Sequence, residues 1–560
     1  MKRFVKTTGQ MAEARDYCWE VYETVLAQLS ERLNSIHNVS YPARYWAILM
    51  GSWLLHFIEV LYDRYKRIEK TLELFPDFYT SALPEEKCSL VSSDTYDFLV
   101  RKVSRNNYYN LKLFSMVVRK LCPQHVRDRD VTPKVETGPK TLSFKHSLKR
   151  EIFYKLLRLF DIFIKNPIVL SDMYHLDPMD ILALKFKSLK TLVFMDFEPL
   201  LDYDVSKNCY SDSMRKKLKL GESSDRFQSL LYKVIPDAIP TCYLENYRIY
   251  KDSIGRAKNT MPISAIGSAI GWFFNERFKF FAAEASLKGT LLIEFQRGGN
   301  FGYAAVLSHE AMTLLEKDIF YTWGWTSEIN NKTKPLPSPH LSKLRDTHST
   351  KLDNVLFIGV VMSRYHYRFQ SALLSDDMPG YFEDKKIFFQ ALSEEIKNKV
   401  LYRPYVDDRG WGELDKVKKV CPKAKFISKG KAIKWMQRVK LVVIDHPHTS
   451  FLEALAINVP CVFYWKHDVY SIRPEAERYF ELLRDAGIVF KDPLSAAEKV
   501  KEIFNDPMNW WQSDGVQKAR FEFCKRFAYA EKNWLKIWTE ELKKFHVDIS
   551  KKTKDAKAHC

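Results

Sequence analysis

The chain has nine cysteines, and no two of them form a CxxC or any spacing that would hold zinc. An odd number scattered singly gives no disulfide framework either, which points to a reducing compartment. The opening residues, MKRFVKTTGQMAEARDYCWEVY, are charged and have no apolar core, so no secretory signal is expected there. No uncharged run is long enough to span a bilayer. The most apolar stretch, Ala47–Tyr62, contains His56 and Glu59 and reads as a buried core helix. A Walker loop, a GxGxxG fingerprint, a zinc-finger or RNA-recognition signature and internal repeats are all missing. These absences argue against the common phosphate-loop and dinucleotide folds and against nucleic acid as a partner.

What is present describes a globular protein of enzyme size. At 560 residues the chain needs two or three domains, and 46% hydrophobic with 14% aromatic residues supplies their cores. Lys and Arg number 88 against 69 Asp and Glu, a net charge of +19. That surplus favours anionic partners such as nucleotides or phospholipid headgroups. A cytoplasmic protein is expected, with basic surface available for peripheral contact with the inner membrane.

Apolar residues recur at three-to-four spacing over Asp16–Leu33 and Tyr45–Leu72, which predicts an N-terminal helical region. Short strands are predicted at Pro167–Leu170, Thr191–Met195 and Gly289–Phe295, and Ser206–Leu220 reads as an insertion. Asn330–Ser342, with three prolines, reads as a linker. Beyond it, strand runs at Val355–Val360, Val400–Arg403, Lys425–Ile427, Leu441–Ile444, Cys461–Tyr464 and Ile488–Phe490 alternate with helical stretches. Such alternation predicts a doubly wound α/β domain over roughly 346–510.

In parallel sheets ligands gather at the carboxyl ends of strands, against helix N-termini that favour anions. Three strand ends supply candidates here. Arg364 follows the first, Arg403 closes the second, and Asp445-His446-Pro447-His448-Thr449-Ser450 follows the third. The arginines, Thr449 and Ser450 suit a phosphate or diphosphate, and Glu453 suits a ribose hydroxyl pair. His446 and His448 flank Pro447, whose kink gives no assurance that they share a face, so a metal site is not expected. In the N-terminal half Gly298-Gly299-Asn300-Phe301-Gly302 lies between a strand and a helix, with Arg297 beside it as an anion contact. Asp172, His175, His309 and Glu310 are the acid–base candidates.

Taken together these residues resemble a glycosyltransferase of the GT-B type. Tyr402–Pro404 and Asp445–Trp465 are similar to the donor segments of bacterial sialyl-, Kdo- and glycerophosphate-transferases. LNSIHNVSYPARYWAILMGSWLLHFIEVLYDRY (33–65), QRGGNFG (296–302) and TWGW (322–325) resemble a transferase family of bacterial surface-polysaccharide and O-antigen gene clusters. The resemblance implies an α/β fold of two Rossmann-like domains facing across a cleft, GT-B-like, with an added N-terminal helical region. It implies helices over 1–75, an acceptor domain over 76–340, a donor domain over 346–510, and C-terminal helices with a basic tail over 511–560. The implied reaction moves a sugar from a nucleotide-activated donor, such as a CMP-linked acidic sugar, to a glycan or lipid-linked glycan acceptor. No cofactor or metal is implied, since fixed positive charge and helix amides would stabilise the departing nucleotide. The alternatives are a glycerophosphate-type transferase on the same fold, or a catalytically inactive scaffold of polysaccharide assembly. One departure stands out: Arg297 replaces a histidine expected beside the glycine pair.

Overall fold

A computed structural model of the protein describes residues 8–129, 148–159, 161, 164–188, 190–197, 210–255, 262–327 and 331–558. Part of the predicted Ser206–Leu220 insertion lies outside the described residues. The chain starts with two long helices, α1 (Thr8–His37) and α2 (Ala43–Leu74). Nearly every residue of α2 from Tyr45 to Ile68 is buried. A helix apolar on all sides must be enclosed, and α2 is enclosed by α1, the helix Asn107–Leu121 and the helix Glu276–Ser286. It is the one helix among the described residues that is long and apolar enough to cross a membrane, and 89% of its apolar window is buried inside the protein.

Two short strands, β1 (Thr80–Ala82) and β2 (Val126–Asp128), pair in parallel at the edge of this helical layer. The first Rossmann-like sheet follows, with β3 (Ile168–Ser171), β4 (Leu192–Phe194), β5 (Ala265–Ser268), β6 (Leu291–Phe295), β7 (Ile319–Thr322) and β8 (Thr333–Pro335). Its order is β4-β3-β5-β6-β7-β8, all parallel. The second sheet holds β9 (Leu352–Ile358), β10 (Val400–Arg403), β11 (Lys425–Phe426), β12 (Val439–Ile444), β13 (Cys461–Tyr464) and β14 (Val489–Phe490). Its order is β11-β10-β9-β12-β13-β14, again all parallel. Apolar clusters cover both faces of each sheet, as parallel sheets require. The expected α/β fold, with two Rossmann-like sheets and added N-terminal helices, is therefore the observed one.

The strand order reverses between β9 and β12 in the second sheet and between β3 and β5 in the first. Ile444 pairs with both Ile358 and Phe463, so β9, β12 and β13 end level. At such switch points the loops leave in opposite directions and open a crevice.

The predicted linker at Asn330–Ser342 is instead built structure. Thr333–Pro335 forms edge strand β8, and Pro339–Leu344 is a helix whose Ser338 side chain accepts a hydrogen bond from the Leu341 amide. Proline is compatible with an edge strand and with the first helical turn. Three prolines in a short run therefore marked element ends, and Leu336, Ser338, Pro339, His340 and Leu341 are buried. The helix Trp534–Ala558 returns to the first sheet, where Trp538 stacks on Phe295 with centroids 5.2 Å apart.

Candidate site at the cleft between the two sheets

The carboxyl edges of the two sheets meet through the glycine-rich loop after β6 and the start of the helix Thr449–Ile457 after β12. The Gly299 amide donates to Thr449 Oγ1 at 3.1 Å, and Tyr303 OH donates to the Pro447 carbonyl at 2.5 Å. A side chain at Gly299 would sit 3.0 Å from the Thr449 backbone nitrogen, and Gly298 adopts φ +152°. These two glycines let the loop lie directly against the helix N-terminus. Ser450 stands beside Thr449 on the first turn and is half-buried.

Arg297 turns inward. Its Nη1 donates to Glu294 Oε1 and to the Ala269 carbonyl, both at 2.9 Å, and its guanidinium lies 3.8 Å from the Phe273 ring centre. Arg297 Nη2 approaches His309 Nδ1 at 3.2 Å, and Arg368 Nη1 approaches the same nitrogen at 3.5 Å. Guanidinium groups only donate, so His309 Nδ1 accepts. His309 Nε2–H then points to His56 Nε2 at 2.9 Å, and His56 Nδ1–H donates to the Ser52 carbonyl at 2.6 Å. Burial, His56 and the two arginines hold the His309 pKa well below the usual range, and burial brings His56 down to about 3. His309 is thus a neutral acceptor with its lone pair engaged, so it does not present a free base to the cleft.

Glu310 is likewise committed: it accepts from the Gly302 amide and from Arg473 Nη2, each at 2.7 Å. Asp172 Oδ2 accepts from Asn275 Nδ2 at 2.8 Å, tying the end of β3 to the N-cap of the helix Glu276–Ser286. Arg403 donates to the carbonyls of Ile427 and Lys429 at 3.0 Å and of Gly430 at 2.6 Å. It pins the loop after β11, and with β9 between β10 and β12 its strand lies about 10 Å from β12. Arg364 is exposed over the Trp411 ring at 5.7 Å. The structure brings neither Arg364 nor Arg403 to Thr449.

Arg368 is a third arginine of these loops. It lies ten residues past the end of β9, on the loop that leaves the second sheet's switch point, and its charge reaches His448, the residue before Thr449. Its Nε is buried without a hydrogen-bond partner, and no carboxylate lies within ion-pair distance among the described residues. Its charge depresses His309, His56 and His448, and burial together with that charge brings His448 to about 4. His446 is buried against His448, with ring centroids 4.9 Å apart. Among the described residues no group of three or more His, Cys, Asp or Glu side chains is arranged to hold a metal ion.

The loop carrying Arg368 is held by α2. Glu59 accepts from the Phe369 amide at 3.0 Å and from Ser308 Oγ, while Asp63 faces His366 at 3.5 Å. Burial raises Glu59 to about 7, against the pull of Ser308, Phe369 and Arg368. A carboxyl raised in the folded state contributes stability below its unfolded value, near 4.5, and loses it as pH rises through about 7. Glu59→Gln should therefore gain stability relative to the native chain between pH 5 and 8, by roughly 3 kcal/mol at most. Denaturant melts at several pH values measure this, and a constant difference would contradict it.

Opposite Arg297 the strand-end residues Tyr174 and His175 meet His340. The imidazoles of His175 and His340 stack at 4.1 Å, and His340 Nε2 bonds Glu453 Oε1 at 2.7 Å. Burial, His340, Lys431 and Lys343 lower His175 to about 4. Glu453 therefore orients an imidazole across the cleft. His340 escaped the sequence reading because it sits among prolines. Arg368 escaped because the loop after β9 is long, and the arginine nearer the strand end drew the assignment.

The fold defines a protein of two Rossmann-like parallel sheets, with Arg368 lacking a carboxylate partner among the described residues. The chain belongs to the LIC12162 family of transferases, whose family model matches residues 1–542. No curated protein matches it in sequence. Among solved structures it is similar to MurG of Acinetobacter baumannii, with 10% identity over 68% of this chain and 99% of that one at a TM-score of 0.34. It is also similar to the wall teichoic acid polymerase TagF, with 10% identity over 72% and 95% at 0.30. The calicheamicin glycosyltransferase CalG4 gives 12% identity over 65% and 94% at 0.30. Likenesses of this size carry no functional assignment, and the fold is read from the sheets themselves.

Proposed function

We propose that the protein is a glycosyltransferase of GT-B-like build that moves a sugar from a nucleotide-activated donor to a surface-glycan or lipid-linked glycan acceptor. The observation that carries this reading is Arg368, a cation without a carboxylate partner among the described residues, on the loop after β9 and near enough to His448 for its charge to depress that imidazole. Donor phosphate lies between Arg368 and the amides and hydroxyls of Thr449 and Ser450, where fixed charge and helix dipole stabilise the departing nucleotide. His340, oriented by Glu453, takes the proton of the acceptor hydroxyl. That oxygen attacks the anomeric carbon, and the bond from that carbon to the phosphate oxygen breaks. Membership of a transferase family and the sequence resemblance to surface-polysaccharide transferases support the reading.

A thermal-shift screen of the full chain against CMP, CDP, UDP, GDP and ADP tests it. A ligand that binds only the folded state raises the melting temperature as its concentration passes Kd. One nucleotide should stabilise the protein selectively, and its sugar conjugate should be consumed in the presence of acceptor. Product mass then separates sugar transfer from glycerol phosphate transfer. His340→Gln should keep nucleotide binding while turnover falls about 100-fold or more. No stabilisation by any nucleotide would overturn the donor site and favour a scaffold.

A further inference from the structure

One strand beyond the cleft, at the carboxyl ends of β12 and β13, lies a second cavity of ≈ 230 Å³ with the opposite chemistry. The protein carries a net charge of +19, yet this pocket is lined by five aspartates and one lysine, Lys466. Asp384 is paired with Lys466 and Asp376 with Arg67, each at 3.1 Å. Asp445 is at the back of the pocket, 2% exposed, and its ion-pair partner is the buried Lys385. Lys385 Nζ is 3.4 Å away but is shared with Glu413 at 3.1 Å. Tyr464 OH and Trp465 Nε1 also line the pocket, are buried, and lack partners. Buried polar groups are nearly always satisfied, so two orphaned donors and a carboxylate that shares its counter-ion, all lining one cavity, point to something that enters and satisfies them.

The remaining wall is aromatic, with Tyr381 and Tyr470. Lys385 already lays its ammonium 4.4 Å from the Tyr381 ring centre, which shows that this ring accepts a cation. Phosphate or sulfate would meet five carboxylates against one lining lysine, an unfavourable balance. No cluster among the described residues is arranged for a metal ion. Aromatic faces with a buried carboxylate whose one ammonium partner is shared are the recognition chemistry of an organic ammonium. The burial that raises Asp445 to about 6 is relieved when a positive partner arrives.

We infer that this pocket binds a protonated amine carried by a small organic molecule or sugar, with Asp445 as the counter-charge and the surrounding rings as the cage. The site does not depend on the nucleotide reading. It adjoins the cleft through His448, whose ring lies 5.6 Å from that of Tyr470. An amine held here reaches toward the helix start at Thr449, so an amino-bearing donor or acceptor could occupy both sites together.

Calorimetric titration of the full chain, in an amine-free buffer at constant sodium chloride, tests the inference with glucosamine, ethanolamine and the neutral match glucose. Both amines should bind saturably, with glucose at least tenfold weaker. Asp445→Asn should weaken glucosamine at least tenfold. Asp468→Asn, on the exposed rim where no core contact is at stake, should weaken it severalfold and decides the matter if the buried variant does not fold. Arg368→Ala should leave amine binding unchanged, which separates this site from the donor site. Equal binding of glucosamine and glucose, absence of saturable amine binding, or amine affinity untouched in both aspartate variants would each overturn the proposal and leave a water-filled pocket.

Discussion

Replacing Arg368 with alanine is expected to weaken binding of the stabilising nucleotide about 10- to 100-fold with little change in the melting temperature of the free protein. A hydrogen bond to a charged group contributes about 1.5–3 kcal/mol, and 1.4 kcal/mol is a factor of ten in affinity. Arg368 has no carboxylate partner to strand when it is removed, and its Nε makes no hydrogen bond that would be lost. Arg368→Lys should recover part of the affinity, since a point charge replaces a planar fork. Titration of both variants with the nucleotide found in the screen measures this. Arg403→Ala is the informative contrast: its guanidinium serves three carbonyls of one loop, so its loss should soften that loop and leave affinity nearly intact. If Arg403 rather than Arg368 governs affinity, the cleft has been assigned to the wrong strand end.

Asp63→Ala should destabilise the protein by about 3–5 kcal/mol, because it leaves buried cations without their anion. Asp63 is 1% exposed and bridges Arg64, Arg67 at 3.0 Å and His366. Burial alone would raise its pKa, but Arg67 and Arg64 outweigh that and hold it far below the carboxylate range. The carboxylate thus supplies stability above its unfolded pKa and loses it only in strong acid. Denaturant unfolding at pH 7 gives the size of the effect, and Asp63→Asn should fall between the two. A change under 1 kcal/mol would mean the two arginines are hydrated, contrary to their burial.

The second sheet was legible because β9, β12 and β13 are runs of large apolar residues with clear turns between them. The first sheet was harder to read. β5 is Ala-Ile-Gly-Ser, whose small residues carry little strand signal. β7 follows its helix after two residues, and β8 carries the proline that marked a linker. In the cleft, Thr449, Glu453 and the glycine loop are legible because local spacing determines where they fall. Arg297 in that loop and His309 and Glu310 at the start of the next helix are legible as positions, yet their contacts depend on Glu294, His56 and Arg473. His56 and Arg473 are far away in sequence, and no local pattern announces such partners. The same limit hid Arg368, whose position is decided by where a long loop is fastened.

That fastening has a consequence for motion. Connectivity assigns the loop after β9 to the second sheet, but Glu59, Asp63 and Arg67 grip it at Phe369, His366 and Asp376. Arg368 is therefore carried by the N-terminal helices, while Thr449 is carried by the sheet. α2 acts as a splint, and swinging that loop away from it would break three polar contacts, two of them buried. With the arginine's loop fastened this way, the charge is set by the N-terminal helices while the helix start it serves is set by the second sheet.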